Sequence, residues 1–234
     1  MSRKEVMKKI SFILKCLIVL SAFIGITLCF IFAKRDGYSH WATRLMYFTC
    51  QSNIWIALSV LSILLSPYVK FLQGENAKEH LYILRYIFTV SIVVTGIVYC
   101  GLLAPFAYKE NYNAWTLSNL ITHVIVPSMS VADFIIDENR VSLKGEHILF
   151  TAVPPLCYFV LAGILNLLNV DFGRGETYPY FFLNLKSEVG LFGAALEPEP
   201  ALGTFYWILV LIAIVFDVAL LLKFINSKIL KKAS

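Results

Sequence analysis

Thr49, Ser52 and Asn53 stand at i, i+3 and i+4 in one apolar stretch of this chain, and Asn119, His123 and Pro127 follow one another at four-residue spacing in a second. A hydroxyl on one helix and an imidazole on another are the raw materials of a nucleophile–base pair, in which the ring takes the proton as the oxygen attacks a carbonyl. On helical spacing Thr49, Ser52 and Asn53 share a face, and Gln51 turns away from it. The bland reading is structural: Ser, Thr and Asn bond across helices or back to their own carbonyls. Several polar groups at nearly one depth exceed what such glue requires. Pro127 removes a backbone hydrogen bond to residue 123, which predicts a freed His123 carbonyl and a kink. Ser130 and Asp133 extend the same stripe.

These residues need elements to hold them, and the composition says what those are. The chain has 234 residues, 59% hydrophobic and 15% charged, with a mean hydropathy of +0.74. That excludes an ordinary soluble domain. Runs of about 20 apolar residues match the ~30 Å hydrocarbon core of a bilayer. Six are predicted, at Ile10–Ala33, Arg44–Leu65, Tyr82–Phe106, Leu117–Ile136, Ile148–Leu168 and Leu202–Phe224. The expected architecture is all-α, a bundle of six transmembrane helices forming a single integral membrane domain over residues 1–234. Polar turns such as Lys34-Arg35-Asp36-Gly37 and Lys109-Glu110-Asn111 separate the spans. The longest connection, Asn169 to Ala201, contains Tyr178-Pro179-Tyr180-Phe181-Phe182, too apolar for a free linker and expected to lie on the membrane as a lid.

Lys and Arg near the span ends set the orientation. Twelve fall on the side of the two termini and six on the other, so both termini are expected to be cytoplasmic. The net charge of +5 follows from that bias and from anionic lipid, and calls for no nucleic-acid partner. The basic start of the first span resembles a signal peptide, but its apolar region is too long and no small-residue cleavage site precedes Lys34, so it should remain as an anchor. The five cysteines all lie within spans without metal-ligand spacing and read as small core residues. No metal, cofactor, phosphate-loop or nucleophile-elbow motif is present in the sequence.

Depth brings the two clusters together. Thr49 lies five residues after Arg44 and His123 six after Leu117, so both sit roughly 8–9 Å inside the outer boundary. Arg85 and Asp133 are level at the cytoplasmic end and are expected to form a structural ion pair. Asp217, deeper in the sixth span, is expected to meet Lys15. Tyr38, Trp41, Tyr47, Tyr112, Trp115, Tyr206 and Trp207 read as an interfacial belt.

Three patches carry a family resemblance: Phe48-Thr49-x-Gln51-Ser52-Asn53, Asn119-x-x-x-His123-x-x-x-Pro127 and Tyr178-Pro179-Tyr180-Phe181-Phe182. In these the chain resembles the androgen-induced gene one family, which includes the androgen-dependent tissue-factor-pathway-inhibitor-regulating protein. The Gln-Ser-Asn run and the paired Tyr around Pro179 are similar to its prokaryotic six-span branch, which implies the plasma membrane of a prokaryote. Animal members hydrolyse fatty acid esters of hydroxy fatty acids with an intramembrane Thr and His. The resemblance thus implies Thr49 as nucleophile, His123 as base, and an acyl-ester lipid as substrate.

The expectation is a lipid ester hydrolase built on a Thr49–His123 dyad without cofactor. Asn119 would orient the imidazole, and Ser52 or Asn53 would donate to the oxyanion. Tyr178, Pro179 and Tyr180 would cover the site. The rival is a non-enzymatic six-span protein that binds or transports a lipid or small molecule, of unknown oligomeric state.

Overall fold

The structure, a computed structural model, describes residues 2–105, 107, 113–195 and 201–233. Phe106, at the predicted end of the third span, the loop residues Lys109-Glu110-Asn111, and Tyr112 lie outside the described residues. Among the described residues, six helices are long and apolar enough to cross a membrane. They are α1 (Arg3–Ile31), α2 (Phe48–Leu65), α3 (Glu75–Leu103), α4 (Leu117–Ile136), α5 (Gly145–Leu167) and α6 (Thr204–Ala233). Among the described residues the only paired strands form a two-residue ladder, Ala194–Ala195 against Ala201–Leu202.

Local chemistry sets several boundaries. Ser2 and Glu5 form a reciprocal capping box that starts α1 seven residues before the predicted span. The α2 boundary moves the other way. Residues Trp41–Met46 form a 3₁₀ turn capped by the His40 ring, and extended Tyr47 separates that turn from the helix. Thr49 therefore occupies the first turn of α2, where backbone N–H groups have no helical partner. In α5 the helix is interrupted at Thr151 and Ala152, just before Pro154 and Pro155, residues that cannot supply N–H donors.

α4 packs against α1 and α3, and α2 lies against both α1 and α3, so these four helices form the inner bundle. Ile18, Ala22, Ile56, Val60, Ile92 and Val126 fill its centre. α6 packs on α3, where Tyr86, Val90, Phe134, Val215 and Ala219 form a second cluster. A third joins Phe48 of α2, Tyr158 and Ala162 of α5, and Phe182 and Leu183 of the long connection.

At one end of the bundle the buried charges form a closed network. Arg85 donates to Asp133 at 2.5 Å and also to Asp137, while Lys15 reaches Asp133 at 3.1 Å and Asp137 at 3.0 Å. Arg85 does meet Asp133, but as half of a four-member cluster. Lys15 belongs to that cluster and not to Asp217, which stands exposed on α6. Helix phase explains the difference: Val215, Ala219 and Leu222 hold the buried face of α6, and residue 217 falls about 200° from residue 215. Cys16, Cys100 and Cys157 also face outward, whereas only Cys29 and Cys50 are buried; all five thiols are free.

Candidate active site

At the opposite end, α2 and α4 bring their polar clusters into contact. Thr49 Oγ1 lies 3.1 Å from His123 Nε2. The other ring nitrogen settles which one carries the proton. Nδ1 is 3.0 Å from the Asn119 carbonyl, which only accepts, so Nδ1 bears the hydrogen. Nε2 is then the lone-pair nitrogen, and the Thr49 hydroxyl donates to it. It is the Asn119 backbone oxygen that meets the imidazole; the Asn119 side-chain amide donates to the Ala114 carbonyl at 3.1 Å.

The local helix geometry produces this arrangement. Ile121–Ile125 is a π turn in which the Val126 N–H reaches the Ile121 carbonyl, five residues back. In that register the missing N–H of Pro127 falls opposite the Thr122 carbonyl rather than that of His123. Asn53 Nδ2 takes its place, donating to the Thr122 carbonyl at 3.1 Å and to the Thr49 carbonyl at 2.8 Å. A second π turn, Tyr99–Leu103, ends α3 and lays the Tyr99 ring on the imidazole, centroids 3.6 Å apart and 18° from parallel. Single π turns are often found where a side chain must be re-aimed. Gly96 makes the approach feasible, since a Cβ there would lie 2.7 Å from the His123 carbonyl oxygen.

The donors of Ser52 and Asn53, the expected oxyanion groups, point away from the Thr49 hydroxyl. Both are fully buried behind Thr49, and Ser52 spends its hydroxyl on the Thr49 carbonyl at 3.2 Å and on Thr95 at 2.8 Å. Their donors are committed to backbone and neighbouring helices, which makes them clamps. The group facing Thr49 from the other side is Tyr180, whose hydroxyl is 3.4 Å from Thr49 Oγ1 and sits against the Thr49 backbone N–H. Burial pushes the Tyr180 hydroxyl up to about 12, opposed by its contacts with Thr49, so it is a proton donor at neutral pH.

Tyr180 belongs to the long connection, which docks over the N-terminus of α2. Phe181–Leu183 forms a 3₁₀ turn, and Pro179 is buried while Tyr178 and Tyr180 are half-buried. The segment is pinned upstream: Tyr47 donates to the Phe172 carbonyl at 2.9 Å, and the Arg174 N–H donates to the Gly37 carbonyl at 3.0 Å. Gly173, at φ +99°, lies flat on the Tyr38 ring, where a Cβ would come within 2.3 Å of a ring carbon. Tyr38 and Tyr47 are therefore mouth residues of this site, whereas Trp41, Trp115 and Tyr206 remain exposed. Trp207 packs on Phe181 and Phe182.

Two spaces meet at the pair. On one side is a polar cavity of about 870 Å³, walled by Arg44, Asp36, Arg174, Glu176 and Asn113. On the other is a narrow apolar slot of about 40 Å³ between Val94, Val98, Phe159, Leu183, Leu211 and Val215. Thr49, His123, Tyr99, Leu103 and Tyr180 line both. The slot has room for a few water molecules, so a hydrocarbon chain must spread its Leu and Phe walls to enter. Sequence reasoning missed Tyr99, which lies unremarked inside the third predicted span, and Arg44, which serves there only as a span boundary and outer-side charge; packing alone brings both to this site. No group of His, Cys, Asp and Glu suited to a metal occurs among the described residues. No family model, curated protein or solved structure matches this chain.

Proposed function

We propose that this chain is an intramembrane lipid ester hydrolase using a Thr49–His123 dyad, in the manner of the androgen-induced gene one family it resembles. The observation that carries the reading is the 3.1 Å contact between Thr49 Oγ1 and the lone-pair nitrogen of His123, at the junction of a polar mouth and an apolar slot.

In this mechanism His123 Nε2 removes the Thr49 proton as Oγ1 attacks the ester carbonyl. Negative charge grows on the carbonyl oxygen, where the Tyr180 hydroxyl and the Thr49 N–H at the start of α2 can meet it. One such donor is worth roughly 3 kcal/mol of transition-state stabilisation. Collapse breaks the ester C–O bond, and His123 returns its proton to the leaving alcohol. A water molecule from the polar mouth, deprotonated by the same nitrogen, then cleaves the acyl-threonine and restores the hydroxyl. The Asn119 carbonyl takes the place of an acidic third member by holding the ring and its tautomer. Stacked Tyr99 limits rotation of the ring.

The same reading places the protein in the plasma membrane of a prokaryote, with cytoplasmic termini and the site toward the outer leaflet. The twelve-to-six division of Lys and Arg supports that orientation. The test is labelling of native membranes with a lipid-like fluorophosphonate. Labelling of wild type that disappears in Thr49→Ala and in His123→Ala is the expected result. Labelling that survives in Thr49→Ala puts the nucleophile elsewhere. Absent labelling of a correctly folded wild type favours a lipid-binding or transport role.

A further inference from the structure

Arg44 carries a permanent charge into the protein, and among the described residues no carboxylate pairs with it. Its side chain is only 9% exposed, and its Nε is buried with no hydrogen-bond partner. The guanidinium lies over the Tyr38 ring at 4.6 Å and near the Tyr47 ring at 5.9 Å. Its other neighbours are the thiols of Cys29 and Cys50, which are weak acceptors. The nearby carboxylate of Asp36 is paired with Arg35 at 3.2 Å. Aromatic faces offset part of the cost of burying a guanidinium, but a desolvated charge ordinarily finds an anion.

Arg44 also lines the polar cavity that reaches Thr49 and His123, five residues before the nucleophile and on its mouth side. Arg35 and Arg174 line the same mouth together with Asp36 and Glu176, so with Arg44 its described basic residues exceed its acidic ones by one. The apolar slot leaves from the other side of Thr49. A ligand that satisfies all three places has an anion, an ester within a few bonds of it, and a hydrocarbon chain running away from both. A glycerophospholipid has this order, since only the glycerol separates its phosphate from its acyl esters. A carboxylate at the far end of an acyl chain does not.

We infer that Arg44 is the phosphate-binding residue of this site and that the substrate is a glycerophospholipid, held by its phosphate at Arg44 with an acyl ester at Thr49. This rests on the hydrolase reading above. The guanidinium fork donates two parallel hydrogen bonds to the phosphate oxygens, a geometry that Lys reproduces only as a point charge.

The experiment compares purified protein in neutral detergent on three esters of matched chain: phosphatidylglycerol, diacylglycerol, and a fatty ester bearing a terminal carboxylate. Wild type is expected to prefer phosphatidylglycerol over diacylglycerol by about 30-fold in kcat/KM. Arg44→Gln should lose that preference, and Arg44→Lys should recover part of it. A parallel arm measures retained lipid by native mass spectrometry in Thr49→Ala, with and without Arg44→Gln, so that lipid binding is read without turnover. If no ester is cleaved the hydrolase reading fails, while phosphate-selective retention that depends on Arg44 still upholds the subsite. Equal handling of phosphorylated and neutral lipids overturns the inference. So does a preference that survives Arg44→Gln, a stronger preference for the carboxylate ester, or displacement of the lipid by free glycerol phosphate.

Discussion

A threonine hydroxyl is a weak nucleophile, and what distinguishes Thr49 is the set of partners around one oxygen: His123 Nε2 at 3.1 Å and Tyr180 at 3.4 Å. Thr49→Ala is expected to lower ester turnover by at least ~10³-fold, as loss of a nucleophile does in other hydrolases, while Thr49→Ser retains activity because the oxygen remains. Turnover of a chromogenic acyl ester in detergent checks both. Tyr180→Phe removes a donor without changing the shape of the lid. It should reduce kcat by about 10²-fold and leave KM nearly unchanged, since an oxyanion donor acts chiefly in the transition state. A drop confined to KM would make Tyr180 a binding residue only. Because the Tyr180 hydroxyl titrates near 12, its donor function persists through the neutral range, and no loss of kcat attributable to it should appear between pH 7 and pH 10. The same side chains show the limit of one-dimensional reading. Ser52 and Asn53 share a helical face with Thr49, which suggests a common task, yet their donors end on carbonyls behind the Thr49 hydroxyl.

Among the elements, α4 decides whether the dyad exists. Its π turn places His123, and α1 and α3 approach it through glycines: a Cβ at Gly25 would lie 2.8 Å from Thr122, and one at Gly96 2.7 Å from the His123 carbonyl. Gly96→Ala should therefore displace the imidazole and reduce turnover at least tenfold, with a stability cost of about 1–3 kcal/mol from overpacking. Gly101→Ala is the matched control, since nothing lies within 4 Å of its added methyl, and it should be silent. Equal activity of the two variants would show that close packing at Gly96 does not position His123. Helix periodicity identifies α4 and its polar stripe, and the span Leu117–Ile136 is read directly from the sequence. The π turn is not, because it depends on Pro127 and Asn53 together, and they lie on different helices. The sequence starts the second span at Arg44 because apolar Leu45 and Met46 extend the run in composition, while the 3₁₀ turn and Tyr47 end it in space.

For the whole molecule, chemistry and charge lie at opposite ends of one bundle. The Arg85–Asp133–Asp137–Lys15 cluster ties α1, α3 and α4 together far from Thr49. Arg85→Gln leaves two carboxylates facing one Lys and is expected to cost about 3–5 kcal/mol. Thermal unfolding in detergent measures it. Burial alone would raise the Asp137 carboxyl, but Arg85 and Lys15 overcome it and hold the group below the ordinary carboxylate range. Its folded-state value is depressed, so its contribution to stability is present above the unfolded value and is lost as pH falls through the folded one. Stability should accordingly be flat from pH 8 to pH 5 with respect to this group and decline only in strong acid, and Asp137→Asn should flatten that decline. Six apolar helices, their order, and the register of Thr49, His123, Arg85 and Asp133 along them follow from the sequence alone, because hydropathy and helical period are local properties. The tertiary structure alone decided that Thr49 meets His123, that Asn119 orients it through a carbonyl, that Tyr99 and Tyr180 enclose the pair, and that Lys15 rather than Asp217 is buried. Each of these depends on how closely and at what rotation helices far apart in the chain pack, which glycines, a π turn and a docked connection set together.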